Sequence, residues 1–157
     1  MSIPYPYLVR QHQKSDMGFI VDSWTESWHG STMREVRYRY FRDPCRARIN
    51  DIVRRNYVLV ACDPENPDHI FGYIVYNPES RVVHYMYVTV TRRKTGLARE
   101  LFQKALGEFT DLWFFTHLTR VGYKLAHTRG GEYNPCLLWY VQSGGSNDHE
   151  GKGTQGD

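Results

Sequence analysis

No apolar run in this chain approaches the ~20 residues that cross a bilayer. The three cysteines, Cys45, Cys62 and Cys136, are odd in number and far apart. They form neither a metal-ligand spacing nor a disulfide framework, and a reducing setting is the simple inference. Charge of one sign is also scarce. Twenty Lys and Arg against 17 Asp and Glu leave a net +3, too mild for a dedicated nucleic-acid binder. There is no internal repeat, and residues 1–6 lack the basic-then-apolar pattern of a signal peptide. Neither G-x-G-x-x-G nor the P-loop pattern occurs, so neither a dinucleotide fold nor an NTPase is indicated. These absences predict a cytoplasmic protein with no metal and no membrane partner.

The chain has 157 residues, enough for one domain with a core of its own. Aromatics are plentiful at 15%, with 12 Tyr and 4 Trp, which suits a Tyr-rich core or an aromatic-lined cleft. Residues 143–157 contain no large apolar side chain. They cannot repay their ordering entropy, which predicts a domain over 1–142 and a disordered tail over 143–157.

Hydrophobic spacing then orders the elements. A short strand is expected over Tyr7–Arg10, held extended by the prolines before it. Asp16 reads as an N-cap, and Ile20, Trp24 and Trp28 mark one face of a helix that Gly30 ends. Thr32-Met33-Arg34-Glu35 fits a capping box for a second helix. Asp43-Pro44 is expected to interrupt that helix and restart it with Pro at its first position. Cys45, Ile49, Ile52 and Val53 would be its inner face and Asn56 its C-terminal cap. Tyr57–Cys62, Ile70–Tyr76 and Val82–Val90, separated by turn-forming segments, read as an antiparallel meander. An amphipathic helix follows from Leu97 through Phe109. Leu112–Thr116 returns as a strand, and its place after strand, loop and helix implies a parallel neighbour. Residues 120–134 fit no single element. Cys136–Val141 reads as a last strand, whose open edge could pair with a second copy, so monomer and homodimer both stay open.

The segment with the most chemical content is Tyr87-Val88-Thr89-Val90-Thr91-Arg92-Arg93-Lys94-Thr95-Gly96-Leu97-Ala98. A strand enters a basic loop, and the loop opens a helix. Backbone N–H groups at a helix start have no internal acceptor, and the helix dipole adds positive potential there. Gly96 removes the side chain that would block close approach. Arg93 and Lys94 add formal charge. A pyrophosphate is the natural guest.

This segment resembles motif A of the Gcn5-related N-acetyltransferase (GNAT) superfamily, Arg/Gln-x-x-Gly-x-Gly/Ala. Arg93, Gly96 and Ala98 stand at its three defining positions, and Val88 at the hydrophobic end of the family's fourth strand. The order of elements is similar over about residues 7 to 141. A narrower likeness, to small acetyltransferase-like proteins encoded by bacteriophages, rests on Phe19-Ile20-Val21-Asp22-Ser23-Trp24 and Tyr133-Asn134-Pro135. The resemblance implies an α+β fold, α/β/α layered. Its mixed, mostly antiparallel sheet splays between strands four and five, with helices on both faces. It further implies acetyl-CoA as co-substrate. The pantetheine arm would lie on backbone near Val88, Thr89 and Val90, and the pyrophosphate on Arg93, Lys94, Thr95, Gly96, Leu97 and Ala98. A primary amine would then attack the thioester directly.

For a general base, His84 on the strand before the loop and His117 after the fifth strand are candidates able to work near neutral pH. Glu26 on the first helix is a third. Many members carry an Asn and then a helical Tyr that protonates the leaving thiolate; Thr116–Tyr123 departs from that pattern, leaving Tyr123 and Tyr133 as candidate acids. A catalytically silent CoA- or partner-binding protein is the rival within the same fold. A second rival rests on the arginines from Arg34 to Arg55. They fit either a solvated helix face with local ion pairs or an acidic or nucleic-acid partner.

Overall fold

The computed structural model of the protein describes residues 6–108, 112–117 and 119–138. Six strands form one sheet in sequential order. They are β1 (Leu8–Gln11), β2 (Tyr57–Cys62), β3 (Ile70–Asn77), β4 (Val82–Val88), β5 (Trp113–Phe115) and β6 (Gly131–Tyr133). The first four pair antiparallel. β4–β5 and β5–β6 pair parallel. The helices are α1 (Met17–Ser31), α2 (Tyr38–Arg55), α3 (Leu97–Leu106) and α4 (Arg120–Arg129). This is the mixed, mostly antiparallel sheet that the resemblance implies.

Two apolar clusters lie on opposite faces of the sheet. On one face Ile20, Val21 and Trp24 of α1 and Phe41, Cys45, Ile49, Ile52 and Val53 of α2 pack on Val58, Val60, Tyr73, Val75 and Tyr85. On the other, Leu97, Leu101, Phe102, Ala105 and Leu106 of α3 pack on Ile74, Tyr76, Val83, Trp113 and Phe115. With both faces covered, β3 is buried along nearly its whole length. The aromatics divide between core and surface: Trp24 stacks on Tyr85 at 4.7 Å and the buried Tyr73 hydroxyl donates to the Ile20 carbonyl at 3.1 Å, whereas Tyr38, Tyr40, Tyr57, Tyr123 and Tyr133 are exposed.

Several expectations are corrected. Thr32 does not start the second helix; it is the C-terminal cap of α1, its N–H bonded to the Trp28 carbonyl. Nor does Pro44 interrupt α2, which runs unbroken through it. Proline costs a helix one hydrogen bond, but Pro44 is exposed, where water can take up the freed carbonyl, while the face from Phe41 to Val53 holds the helix against the sheet. The third meander strand stops at Val88, and Val90–Arg92 form a 3-10 turn. The expected last strand is misplaced: Pro135–Leu138 are a 3-10 turn, and 139–141 lie outside the described residues, as do the tail and Phe109. The last described strand is Gly131–Tyr133.

That strand depends on a missing side chain. A Cβ at Gly131 would sit 2.4–2.7 Å from three atoms of the Trp113 indole. Trp113 is 2% exposed and donates from Nε1 to the Arg129 carbonyl at 3.1 Å, so it has little room to yield. Gly131→Ala should cost about 1–3 kcal/mol through overpacking, read as a lower urea midpoint; an unchanged midpoint contradicts this packing.

Candidate functional site: the β4–β5 splay and the Arg93–Ala98 loop

Among the described residues β4 and β5 pair at Val82↔Phe114 and Val83↔Phe115. One more bond, from Thr116 N–H to the Val83 carbonyl at 3.3 Å, closes the pairing. Beyond it β4 continues from His84 to Val88 with no β5 partner among the described residues. The strands part at this point.

A bulge marks the same place. Val75 and Tyr76 are consecutive on β3, but they face Tyr85 and Val83 on β4, so His84 is an extra residue. An extra residue shifts the side-chain alternation by one. Val83 accordingly packs on the α3 side and Tyr85 on the α1–α2 side.

At the far end of β4, Thr89 N–H still bonds the Phe71 carbonyl at 2.8 Å before the chain turns. Gly72 permits this close approach: a Cβ there would lie 2.6 Å from the Tyr87 carbonyl oxygen. Arg92 lies 3.9 Å over the Phe71 ring. Lys94 and Gly96 both take positive φ, 63° and 87°, and Gly96 is the N-cap of α3, its carbonyl accepting from Glu100 N–H at 3.0 Å. At such a helix start the first N–H groups have no internal acceptor. The space outside Gly96 is open, since an added Cβ would meet no atom within 4 Å. Arg93, Lys94, Thr95 and Gly96 are exposed, Ala98 is half-buried, and Leu97 anchors the loop in the core at 1% exposure. Arg93 Nε donates to the Val88 carbonyl at 3.3 Å. Val90 is 72% exposed. The loop thus combines basic side chains, a left-handed glycine and a helix N-terminus, a geometry suited to an anion.

Together with α1, these elements make a fold that is seen in solved structures. A candidate acetyl transferase from Pyrococcus furiosus matches over 97% of this chain and 98% of its own, at 12% identity and a TM-score of 0.53. The fold is the GNAT fold. Apo YjaB from Escherichia coli is similar at 15% identity and a TM-score of 0.47, over 64% of each chain. A GNAT family acetyltransferase from Brucella melitensis in complex with acetyl-CoA is similar at 15% identity and 0.44, over 64% of this chain and 66% of that one. The chain therefore matches less than two thirds of the length of these last two. No protein-family model and no curated protein matches it.

Within this GNAT fold the five candidate acid–base residues separate. His84 and His117 come together at the parting of the strands. Thr116 Oγ1 lies 3.1 Å from His84 Nδ1 and 3.1 Å from His117 Nδ1, and His84 Nε2 lies 3.1 Å from Asn56 Oδ1 at the end of α2. Trp24 and Trp28 meet the His117 ring edge-to-face at 5.0 and 4.2 Å. Glu26 is exposed on α1. Tyr123 is 54% exposed on α4 and stacks on His127. Tyr133 is 48% exposed and leans on Phe115 at 5.5 Å. Among the described residues, none of these three bonds to the histidine cluster.

The histidines differ from the sequence expectation in charge behaviour. Burial, aided by Arg55, lowers His84 to about 4. Burial, with His84 beside it, lowers His117 to about 3. Both rings are neutral throughout the range where an open imidazole titrates. Sequence reading missed Asn56 and Thr116 as members of the cluster. Asn56 was legible only as a helix cap, which it also is, with Nδ2 donating to the Ile52 carbonyl at 2.8 Å.

Within the Arg34–Arg55 stretch, three arginines make local ion pairs. Arg46 pairs with Asp22, and Arg54 and Arg55 pair with Asp51, on the solvent side of α2. Among the described residues no group of His, Cys, Asp and Glu could hold a metal ion, and no described helix is long and apolar enough to cross a membrane.

Proposed function

We propose that the protein is an acetyl-CoA-dependent N-acyltransferase that moves an acetyl group directly to a primary amine. One observation carries this reading. A basic loop with Gly96 at positive φ opens α3 directly beyond a strand that has lost its parallel partner. The loop suits the pyrophosphate, with Arg93–Ala98 supplying N–H groups and positive charge. The backbone of Val88, which has no β5 partner among the described residues, suits the amides of the pantetheine arm, with Thr89 beside it, much as an added strand pairs with an open edge. Val90, in the 3-10 turn, would line the entrance with its exposed side chain. In this reading Arg93 releases the Val88 carbonyl when the cofactor enters and turns to the phosphates.

Catalysis would come from holding thioester and amine in line and accepting a proton as the C–N bond forms. No covalent enzyme intermediate is needed. The likeness to phage-encoded proteins and the free cysteines Cys45, Cys62 and Cys136 suit a reducing, cytoplasmic setting, that of the host if the protein is phage-borne.

Titration calorimetry with acetyl-CoA tests the reading. The wild type should bind saturably. Gly96→Glu should lose at least tenfold in affinity, because a carboxylate would meet the pyrophosphate. No heat at millimolar acetyl-CoA sinks the proposal. Wild-type-like binding by Gly96→Glu would move the site elsewhere.

A further inference from the structure

The hydrogen bonds at the parting of β4 and β5 have a direction, and it can be worked out atom by atom. Asn56 Nδ2 donates to the Ile52 carbonyl, which can only accept, so Asn56 presents Oδ1 to His84. Oδ1 is an acceptor as well, so His84 carries its hydrogen on Nε2. A neutral ring then has a bare Nδ1. Thr116 Oγ1–H must donate to that nitrogen. A hydroxyl has one hydrogen, so toward His117 the same oxygen accepts, and His117 carries its hydrogen on Nδ1. The last atom in the chain is therefore His117 Nε2, a lone pair with no hydrogen. It is buried, with no partner among the described residues.

A buried acceptor left unpaired is costly, and native structures rarely keep one without a use. This one stands where the strands separate, at the opposite end of the unpaired stretch of β4 from the phosphate loop. We propose that His117 Nε2 accepts the proton of the attacking amine, and that Thr116, His84 and Asn56 are positioning residues that fix its tautomer. The inference rests on the acetyl-transfer reading above. As the amine lone pair forms the C–N bond at the thioester carbonyl carbon, an N–H proton passes to His117 Nε2. The Nδ1 proton moves to Thr116 Oγ1, and the hydroxyl proton moves to His84 Nδ1. The C–S bond breaks with its electron pair on sulfur. The proton returns along the same path to the thiolate, leaving amide and free thiol. A weak base suffices, because the nitrogen grows steadily more acidic as it becomes an amide. Trp28, half-buried and 4.2 Å from the His117 ring, is the ring an entering amine displaces.

Two measurements test this. Long-range 15N–1H spectra of the imidazoles in the free protein should show His84 as the Nε2–H tautomer and His117 as the Nδ1–H tautomer at pH 7. The opposite tautomer at His117 overturns the proposal whatever the ligand. The second is thiol release from acetyl-CoA with 1,4-diaminobutane, glucosamine and Nα-acetyl-lysine amide. His117→Gln should lower kcat about 10²–10⁴-fold. Thr116→Val should lower it about tenfold or more with KM for acetyl-CoA unchanged, and Thr116→Ser should restore it, which lost packing alone would not produce. Wild-type turnover in His117→Gln or Thr116→Val overturns the relay and leaves the acetyl-transfer reading standing. Cofactor binding without thiol release from any of these amines also overturns it. Failure of the wild type to bind acetyl-CoA removes the underlying reading instead.

Discussion

Between pH 7 and pH 5 the protein should lose about 4 kcal/mol of folding stability, about 2 kcal/mol from each of His84 and His117. Both rings bind a proton far less readily folded than unfolded, because burial disfavours their charged form. The unfolded chain, with ordinary imidazoles near 6.5, therefore takes up more protons below that pH. The stability these groups contribute is fully present above pH 6.5. It is lost as pH falls from there toward the folded values of about 4 and 3. A total of that size is a large share of what a small domain has. Urea unfolding at pH 7, 6 and 5 would show it as a midpoint that falls with steepening slope. His117→Asn should remove about half of the slope. A midpoint level from pH 7 to pH 5 would mean that both rings reach water.

The other large effect is expected from Asp16→Ala, at about 3–5 kcal/mol. Asp16 is 1% exposed and takes two hydrogen bonds from Arg10, at 2.7 and 3.0 Å, and one from Gln13 N–H at 2.6 Å. Arg10 lies on β1 and also holds the Pro67 carbonyl at 3.0 Å. The pair thus ties the edge strand to the entry of α1 and to the β2–β3 turn. Removing the carboxylate strands a guanidinium whose side chain is 14% exposed. Replacing both partners by apolar residues, Arg10→Met with Asp16→Leu, should recover most of the loss. A single Asp16→Ala variant as stable as wild type would show that the pair is solvated. Burial pushes the Asp16 carboxyl up, but the bonds from Arg10 and Gln13 outweigh it and hold it below its ordinary value. Its contribution is present above about pH 3.8 and lost as pH falls through the lowered value, so it takes no part in the fall between pH 7 and pH 5.

Features held in short stretches of sequence were legible. The four-residue spacing of Ile20, Trp24 and Trp28 gave α1, and the run of strand, basic loop, Gly96 and amphipathic helix gave β4, the left-handed turn and α3. What sequence could not show depends on distant pairs or on a balance of energies. Asn56 and Thr116 meet His84 across 28 and 32 residues, and nothing local in either marks the meeting. Pro44 looked like a break because its local cost is visible in sequence, whereas the packing that offsets it is not. β6 is Gly-Glu-Tyr, with little strand preference of its own. It is a strand because Trp113–Phe115 offer a ladder and Gly131 leaves room for an indole. The bulge at His84 was equally hidden, because one extra residue in an apolar strand leaves no mark in the pattern.

That bulge also makes β4 a ruler. From His84 to Val88 the strand covers about 13–17 Å at ~3.3 Å per residue, and each end is fixed independently. The near end is held by a hydrogen-bonded histidine that cannot shift without changing faces, the far end by Thr89 on the Phe71 carbonyl. The distance between the Arg93–Ala98 loop and the His117 lone pair is thereby set by a count of residues rather than by side-chain fit. A deletion within Tyr85–Val88 would shorten the gauge by one step of ~3.3 Å and reverse the facing of what remains. A cofactor arm seated on the loop would then deliver its thioester short of the histidine.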